Sequence, residues 1–256
     1  MADILQEIVA HKRRYLDQVL CKRISMADAL RHSTSGIIAE FKRKSPSKGW
    51  IHADVEPEQV IPRYVESGAA ALSILTDEEY FGGKPEYIPR VRQLVGSCPI
   101  LRKDFIVDPY QVYEAKMLGA DAILLIAADL TLQDYARLLN LAHQLNLEVL
   151  LEVHDPVELE YLKAGVPDML GVNNRSLGTF HTDVQHSFDI AEAMQDAISL
   201  LGTKRPVLIS ESGISSPDVI KQLRKVGFRG FLIGECFMRE SDPGQALANF
   251  VQAINC

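Results

Sequence analysis

Cysteine is scarce in this chain: Cys21, Cys98, Cys236 and Cys256 are scattered through 256 residues. Their spacing fits neither a disulfide framework nor a metal-ligand set. Positive charge is in deficit too, and the formal net charge of −7 provides no basic field for nucleic acid. No apolar run is long enough to span a bilayer, and His11-Lys12-Arg13-Arg14 interrupts any signal-peptide core. No Gly-x-Gly-x-x-Gly follows the first strand-like segment, which argues against a doubly wound dinucleotide-binding sheet, the runner-up architecture. Linkers, internal repeats and low-complexity stretches are also missing. These absences predict one domain in a reducing, cytoplasmic setting, with no metal, nucleic-acid or membrane partner and no apolar patch calling for an oligomer. A monomer is therefore expected.

What is present is an alternation of short apolar runs and helical patterns. Strands are predicted at Ile37–Phe41, Ala70–Leu75, Pro99–Leu101, Ala122–Ile126, Glu148–Leu151, Met169–Val172, Val207–Ile209 and Gly230–Ile233. Helices fit between them, for example at Pro57–Ser67, Asp108–Leu118, Thr131–Leu145 and Pro217–Val226. Turns such as Gly119-Ala120-Asp121 and Gly227-Phe228-Arg229 precede strands. Eight β-then-α units in a chain of this length predict a closed parallel (β/α)8 TIM barrel over residues 36–256. Ile4, Leu5, Ile8, Val9, Leu16, Val19 and Leu20 recur at helical spacing, so residues 1–35 read as a helical extension lying against the barrel.

The strand ends are polar. In Ile37-Ile38-Ala39-Glu40-Phe41-Lys42, Glu40 and Lys42 are two apart and project from one face. Lys42, Arg43, Lys44 and Lys48 form the densest basic cluster, which alone reads as a solvated loop. Later strands end in Lys103, Glu152, Asn173 with Arg175, and Glu211. A barrel gathers such ends at one mouth, where they can act on a substrate. Ser210-Glu211-Ser212-Gly213-Ile214-Ser215-Ser216-Pro217 then reads as a strand end followed by a capped helix, and Gly234-Glu235-Cys236-Phe237 repeats the arrangement after the last strand. Loops after the seventh and eighth strands commonly bind phosphate in this architecture.

Together these motifs amount to a family resemblance. Ala39-Glu40-Phe41-Lys42-Arg43-Lys44-Ser45-Pro46-Ser47 resembles the signature of indole-3-glycerol phosphate synthases. The resemblance continues in order through Leu75 to Gly83, Leu101-Arg102-Lys103-Asp104-Phe105-Ile106, Leu151-Glu152-Val153-His154, Gly171 to Leu177, Ser210 to Ile214 and Leu232-Ile233-Gly234. It implies a lyase of tryptophan biosynthesis acting on a small phosphorylated substrate, 1-(2-carboxyphenylamino)-1-deoxyribulose 5-phosphate. Ring closure, decarboxylation and dehydration give indole-3-glycerol phosphate without any cofactor.

By matching position, Lys103 resembles the principal general acid and Glu152 the proton shuttle of the dehydration. Lys42 resembles a second lysine at the substrate carboxylate, Glu40 its charge partner and Asn173 an orienting amide. Arg175 and Glu211 are expected to bind substrate, and Phe81, Phe105 and Leu177 to wall its aromatic ring. Ser45, Ser212, Gly213, Gly234 and the backbone N–H of Glu235 are expected around the phosphate. Mutual repulsion should lower the pKa values of the two lysines while the acids oppose it.

A carboxylate facing a phosphate would be repelled, so the Glu235 side chain is expected to turn away. His181 and His186 are five apart, which does not suit a helical metal site. His154-Asp155 resembles half a triad without a nucleophile. Cys236 is expected to be a small buried residue. A phosphoribosylanthranilate isomerase-type barrel would share the phosphate loops but would not need Glu40, Lys42, Lys103 and Glu152 together. A non-enzymatic sugar-phosphate sensor would have still less reason for that set.

Overall fold

The predicted strands close into a barrel in the computed structural model, which describes residues 2–21, 24–176, 178 and 181–255. Eight parallel strands follow chain order: β1 Ile37–Phe41, β2 Ala71–Leu75, β3 Ile100–Lys103, β4 Ala122–Ile126, β5 Glu148–Val153, β6 Met169–Asn173, β7 Val207–Glu211 and β8 Gly230–Ile233. Pairing of β1 with both β2 and β8, Ile38 opposite Ala71 and Leu232, shuts the ring. Four strands run further than expected, among them β6, which ends at Asn173 opposite Glu211. The ladder carries β3 to Lys103 opposite Leu75, and β7 to Glu211 opposite Leu232. β5 reaches Val153 opposite Val172. The polar ends are therefore held in regular strand rather than in loops.

Strand alternation sorts the side chains. Ile37, Ala39 and Phe41 pack outward against the surrounding helices. Ile38, Ala71, Leu101, Ala122, Leu124, Leu150, Met169, Ile209 and Leu232 fill the interior. The short helix Met26–His32 closes the bottom of the barrel by adding Met26, Ala27 and Leu30 to that inner core. Glu148, at the start of β5, is buried there and accepts hydrogen bonds from Ser25 Oγ at 2.6 Å and the Ala27 N–H at 2.9 Å. The opposite end is left for chemistry.

Local sequence sets the outer elements. Asp108, Asp155 and Ser216 each accept a backbone N–H two residues on, and each is followed by a proline. That cap-then-proline pattern starts Pro109–Leu118, the 3₁₀ helix Pro156–Lys163, and Pro217–Lys225.

The first helix, Ala2–Cys21, forms at the expected place. Its described apolar side chains do not lie against the barrel, however: Ile4, Ile8 and Val9 are all exposed. The side chains of Leu5, Leu16, Val19 and Leu20 lie outside the described residues. Among the described residues no helix is long and apolar enough to cross a membrane.

Candidate active site

The inward positions nearest the C-terminal strand ends bring an acid–base cluster together. β3 delivers Lys103, whose Nζ donates to Glu152 Oε2 from β5 at 2.8 Å and lies 3.3 Å from Glu211 Oε2 of β7. Asn173 of β6 donates from Nδ2 to the other Glu152 oxygen at 3.0 Å. Lys42, just past β1, places its Nζ 2.9 Å from Glu40 Oε1, and Ser73 Oγ donates to Glu40 Oε2 at 3.4 Å. Glu40, Glu152 and Glu211 are all buried. Room for two of these carboxylates comes from missing side chains. A Cβ on Gly171 would sit 2.2 Å from Glu211 Oε1, and one on Gly234 would sit 2.5 Å from Glu40 Oε1.

The electrostatics follow from this packing. Burial works against the Lys103 ammonium, but the charges of Glu152, Glu211 and Glu40 outweigh it and raise its pKa above the ordinary lysine value. The expected lowering by a neighbouring lysine is thus overturned at Lys103, because three carboxylates converge on it. Burial also opposes ionisation of Glu152, yet Lys103, His154 and the Asn173 hydrogen bond pull its pKa down. Glu211 goes the other way: burial, together with the nearby Glu152, pushes it up against the pull of Lys103. Although Lys103 is close, neither Glu211 oxygen has a hydrogen-bond partner. The cluster holds a firmly charged ammonium, an ionised carboxylate and a carboxyl inclined to keep its proton.

A pH prediction follows. Asn173→Ala removes a donor that favours ionised Glu152, so the Glu152 pKa should rise toward the ordinary carboxylate range. The acid limb of kcat/KM should then move to higher pH, by up to about one unit. A lower kcat with an unmoved acid limb would mean that Asn173 acts on substrate alone.

Loops beyond the strand ends add further polar groups. Ser212 and Gly213 adopt successive left-handed conformations, with φ of 68° and 78°. Paired residues of this kind turn neighbouring backbone N–H groups to one side. Asn174 Nδ2 braces the turn by donating to Ser212 O at 3.0 Å and to Ser210 Oγ at 3.1 Å. From the β1 loop, Ser45 is buried and its hydroxyl has no partner. A buried hydroxyl left unsatisfied is costly, and a ligand oxygen would complete it. Arg175 reaches the same side, donating from Nη1 to Ser47 Oγ at 3.1 Å.

Comparison with known proteins decides the family. The sequence profile described as indole-3-glycerol phosphate synthase matches residues 3–250. The chain is 52% identical to the indole-3-glycerol phosphate synthase of Bacteroides thetaiotaomicron over 271 aligned positions, covering 99% of this chain and 100% of that one. It is 43% identical to the protein of that name from a Polaromonas species, covering 97% and 98% of the two chains. This chain belongs to the indole-3-glycerol phosphate synthase family. Solved structures add the fold alone. A thiamine phosphate pyrophosphorylase from Pyrococcus furiosus superposes with a TM-score of 0.59 at 16% identity, covering 87% of this chain and 96% of its own. A mutant tryptophan synthase alpha-subunit from the same organism gives a TM-score of 0.61 at 14% identity, covering 87% and 98%.

In this indole-3-glycerol phosphate synthase family member, Phe81 and Phe105 lie together at the rim, their ring centroids 6.1 Å apart and their planes tilted by 34°. Phe105 is exposed and Phe81 partly buried. Leu177 lies outside the described residues. Cys236 is a free thiol, only partly buried.

The Glu235 carboxylate pairs with Lys48 Nζ, and Arg175 Nη2 lies 4.0 Å from it.

His154, which reads from sequence as half a triad, lies just past the end of β5, two residues after Glu152. Its Nε2 is 3.5 Å from Glu152 Oε1, and both ring nitrogens are buried without a hydrogen-bond partner. The two-residue spacing from Glu152 is the signal that points to it.

Proposed function

We propose that this mouth closes the pyrrole ring of 1-(2-carboxyphenylamino)-1-deoxyribulose 5-phosphate, releasing carbon dioxide and water to give indole-3-glycerol phosphate. The aromatic carbon bearing the carboxylate attacks the ribulose C2′ carbonyl. Lys103, held charged by its carboxylate neighbours, donates to the oxygen as it becomes an alkoxide. Loss of carbon dioxide restores the aromatic ring. Glu152, held ionised, then takes the proton from C1′ while Lys42, freed of the lost carboxylate, donates a proton to the C2′ hydroxyl, which leaves as water. Each bond change moves protons and carbon dioxide but no net electrons, so this route calls on no redox cofactor.

Lys42, steadied by Glu40, holds the substrate carboxylate until it is lost, and Asn173 orients both Glu152 and substrate. The Glu211 carboxyl, 3.3 Å from Lys103, meets the sugar chain, and Arg175 binds where that chain runs toward the phosphate. Phe81 and Phe105 flank the aromatic ring and limit water there. Ser45, Ser212, Gly213, Gly234 and the Glu235 N–H receive the phosphate.

The observation carrying this reading is Lys103 Nζ at 2.8 Å from Glu152 and 3.3 Å from Glu211 in a buried mouth. A phosphate-dependent isomerisation leaves that trio without work and releases no carbon dioxide.

The phosphate end is tested by Ser45→Ala, which removes the orphaned hydroxyl. KM should rise about tenfold, the scale of one charge-assisted hydrogen bond, with kcat nearly unchanged. A fall in kcat at constant KM would move Ser45 from the phosphate to the chemistry.

A further inference from the structure

Three segments distant in sequence converge on the Glu235 carboxylate. Lys48, from the loop after β1, pairs with it across 187 residues of chain. Arg175, from the loop after β6, lies 4.0 Å away and ties itself to Ser47, next to Lys48. Glu235 itself follows Gly234 at the end of β8. Burial works against its charge, but Lys48, Lys42 and Arg175 outweigh burial and keep the carboxylate ionised. The Lys48–Glu235 contact joins the loop after β1, which carries Ser45, to the turn after β8.

This arrangement has an electrostatic consequence. Lys48 and Arg175 stand beside the loops expected to receive the phosphate, and a carboxylate already neutralises part of their charge. A phosphate dianion entering there competes with Glu235 for them. We propose that Glu235 is a resident counter-anion, holding Lys48 in the free enzyme and yielding it to the substrate phosphate, so that it sets phosphate affinity and ties binding to rearrangement of the β1 loop. The proposal rests on the phosphate-site reading given above. Product carries the same phosphate, so the returning carboxylate also helps to expel it. Glu235 is thus a specificity-determining residue that weakens binding in order to keep it reversible.

Calorimetric titration with inorganic phosphate tests this on the full-length wild type and on Glu235→Gln, Ser45→Ala and Lys48→Met/Glu235→Gln. Glu235→Gln keeps the shape and removes the competing charge, so phosphate should bind about tenfold tighter. Product inhibition should strengthen by a similar factor. The double variant should lose most of that gain, because Lys48 is what Glu235 withholds.

If Ser45→Ala weakens phosphate while Glu235→Gln binds it as wild type does, the counter-anion role is overturned and the phosphate site stands. If neither substitution changes the affinity, the anion binds elsewhere and both readings fall. Should the Gln variant fold poorly, Glu235→Ser offers the same loss of charge and the same expected tightening.

Discussion

Replacing Lys103 by Ala should lower kcat by about a thousandfold or more while leaving KM within about threefold, because a donor aimed at developing charge acts mainly on the transition state. The side chain is held in place from several directions. Its ammonium bonds to Glu152 at 2.8 Å, approaches Glu211 at 3.3 Å and is charged despite burial. The proposed phosphate contacts come from other loops, so binding should survive. The variant also leaves Glu152 and Glu211 facing each other without a cation, and the pair should respond by taking up a proton. A lower melting temperature is therefore expected, and turnover must be compared on protein whose circular dichroism is native. Lys103→Arg, which restores charge but not a compact ammonium, should recover stability more than activity. Turnover within tenfold of wild type in Lys103→Ala would shift the principal donor elsewhere, first to Lys42.

Glu152→Gln should separate two events that run together in the wild type. The amide oxygen still accepts from Lys103, so ring closure and decarboxylation continue at reduced rate. The carboxylate that removes the C1′ proton is gone, and indole formation should fall by about a hundred- to a thousandfold. In a single turnover, carbon dioxide would appear well ahead of indole fluorescence. Equal loss of both signals would place Glu152 at or before decarboxylation. The lowered pKa keeps Glu152 in the ionised form that can accept a proton, while reducing its basicity.

Much of this was legible from alternation alone. Glu40 and Lys42 share a face with Ile38, and that face turned out to be the barrel interior. Glu152 follows Leu150 inward by the same rule. Strand lengths were less legible at Lys103 and Glu211, since charge reads as loop until a neighbouring strand is there to pair with it. The sequence sets His154 beside Asp155, whereas in the fold its ring approaches Glu152, two residues back.

The Glu235 side chain could not be oriented from sequence, because its partner Lys48 lies at the far end of the chain. The first helix shows a different limit. The spacing of Ile4, Ile8 and Val9 is enough to form the helix, but nothing in that spacing specifies a surface to cover it.

The account rests on one claim, that this mouth couples ring closure to loss of carbon dioxide. Purified protein should be given 1-(2-carboxyphenylamino)-1-deoxyribulose 5-phosphate while indole fluorescence and carbon dioxide are followed together. Fluorescence rising with one carbon dioxide per indole, and lost in Lys103→Ala, is the predicted result. Substrate that binds but yields neither signal, or an isomer formed without carbon dioxide, would contradict it.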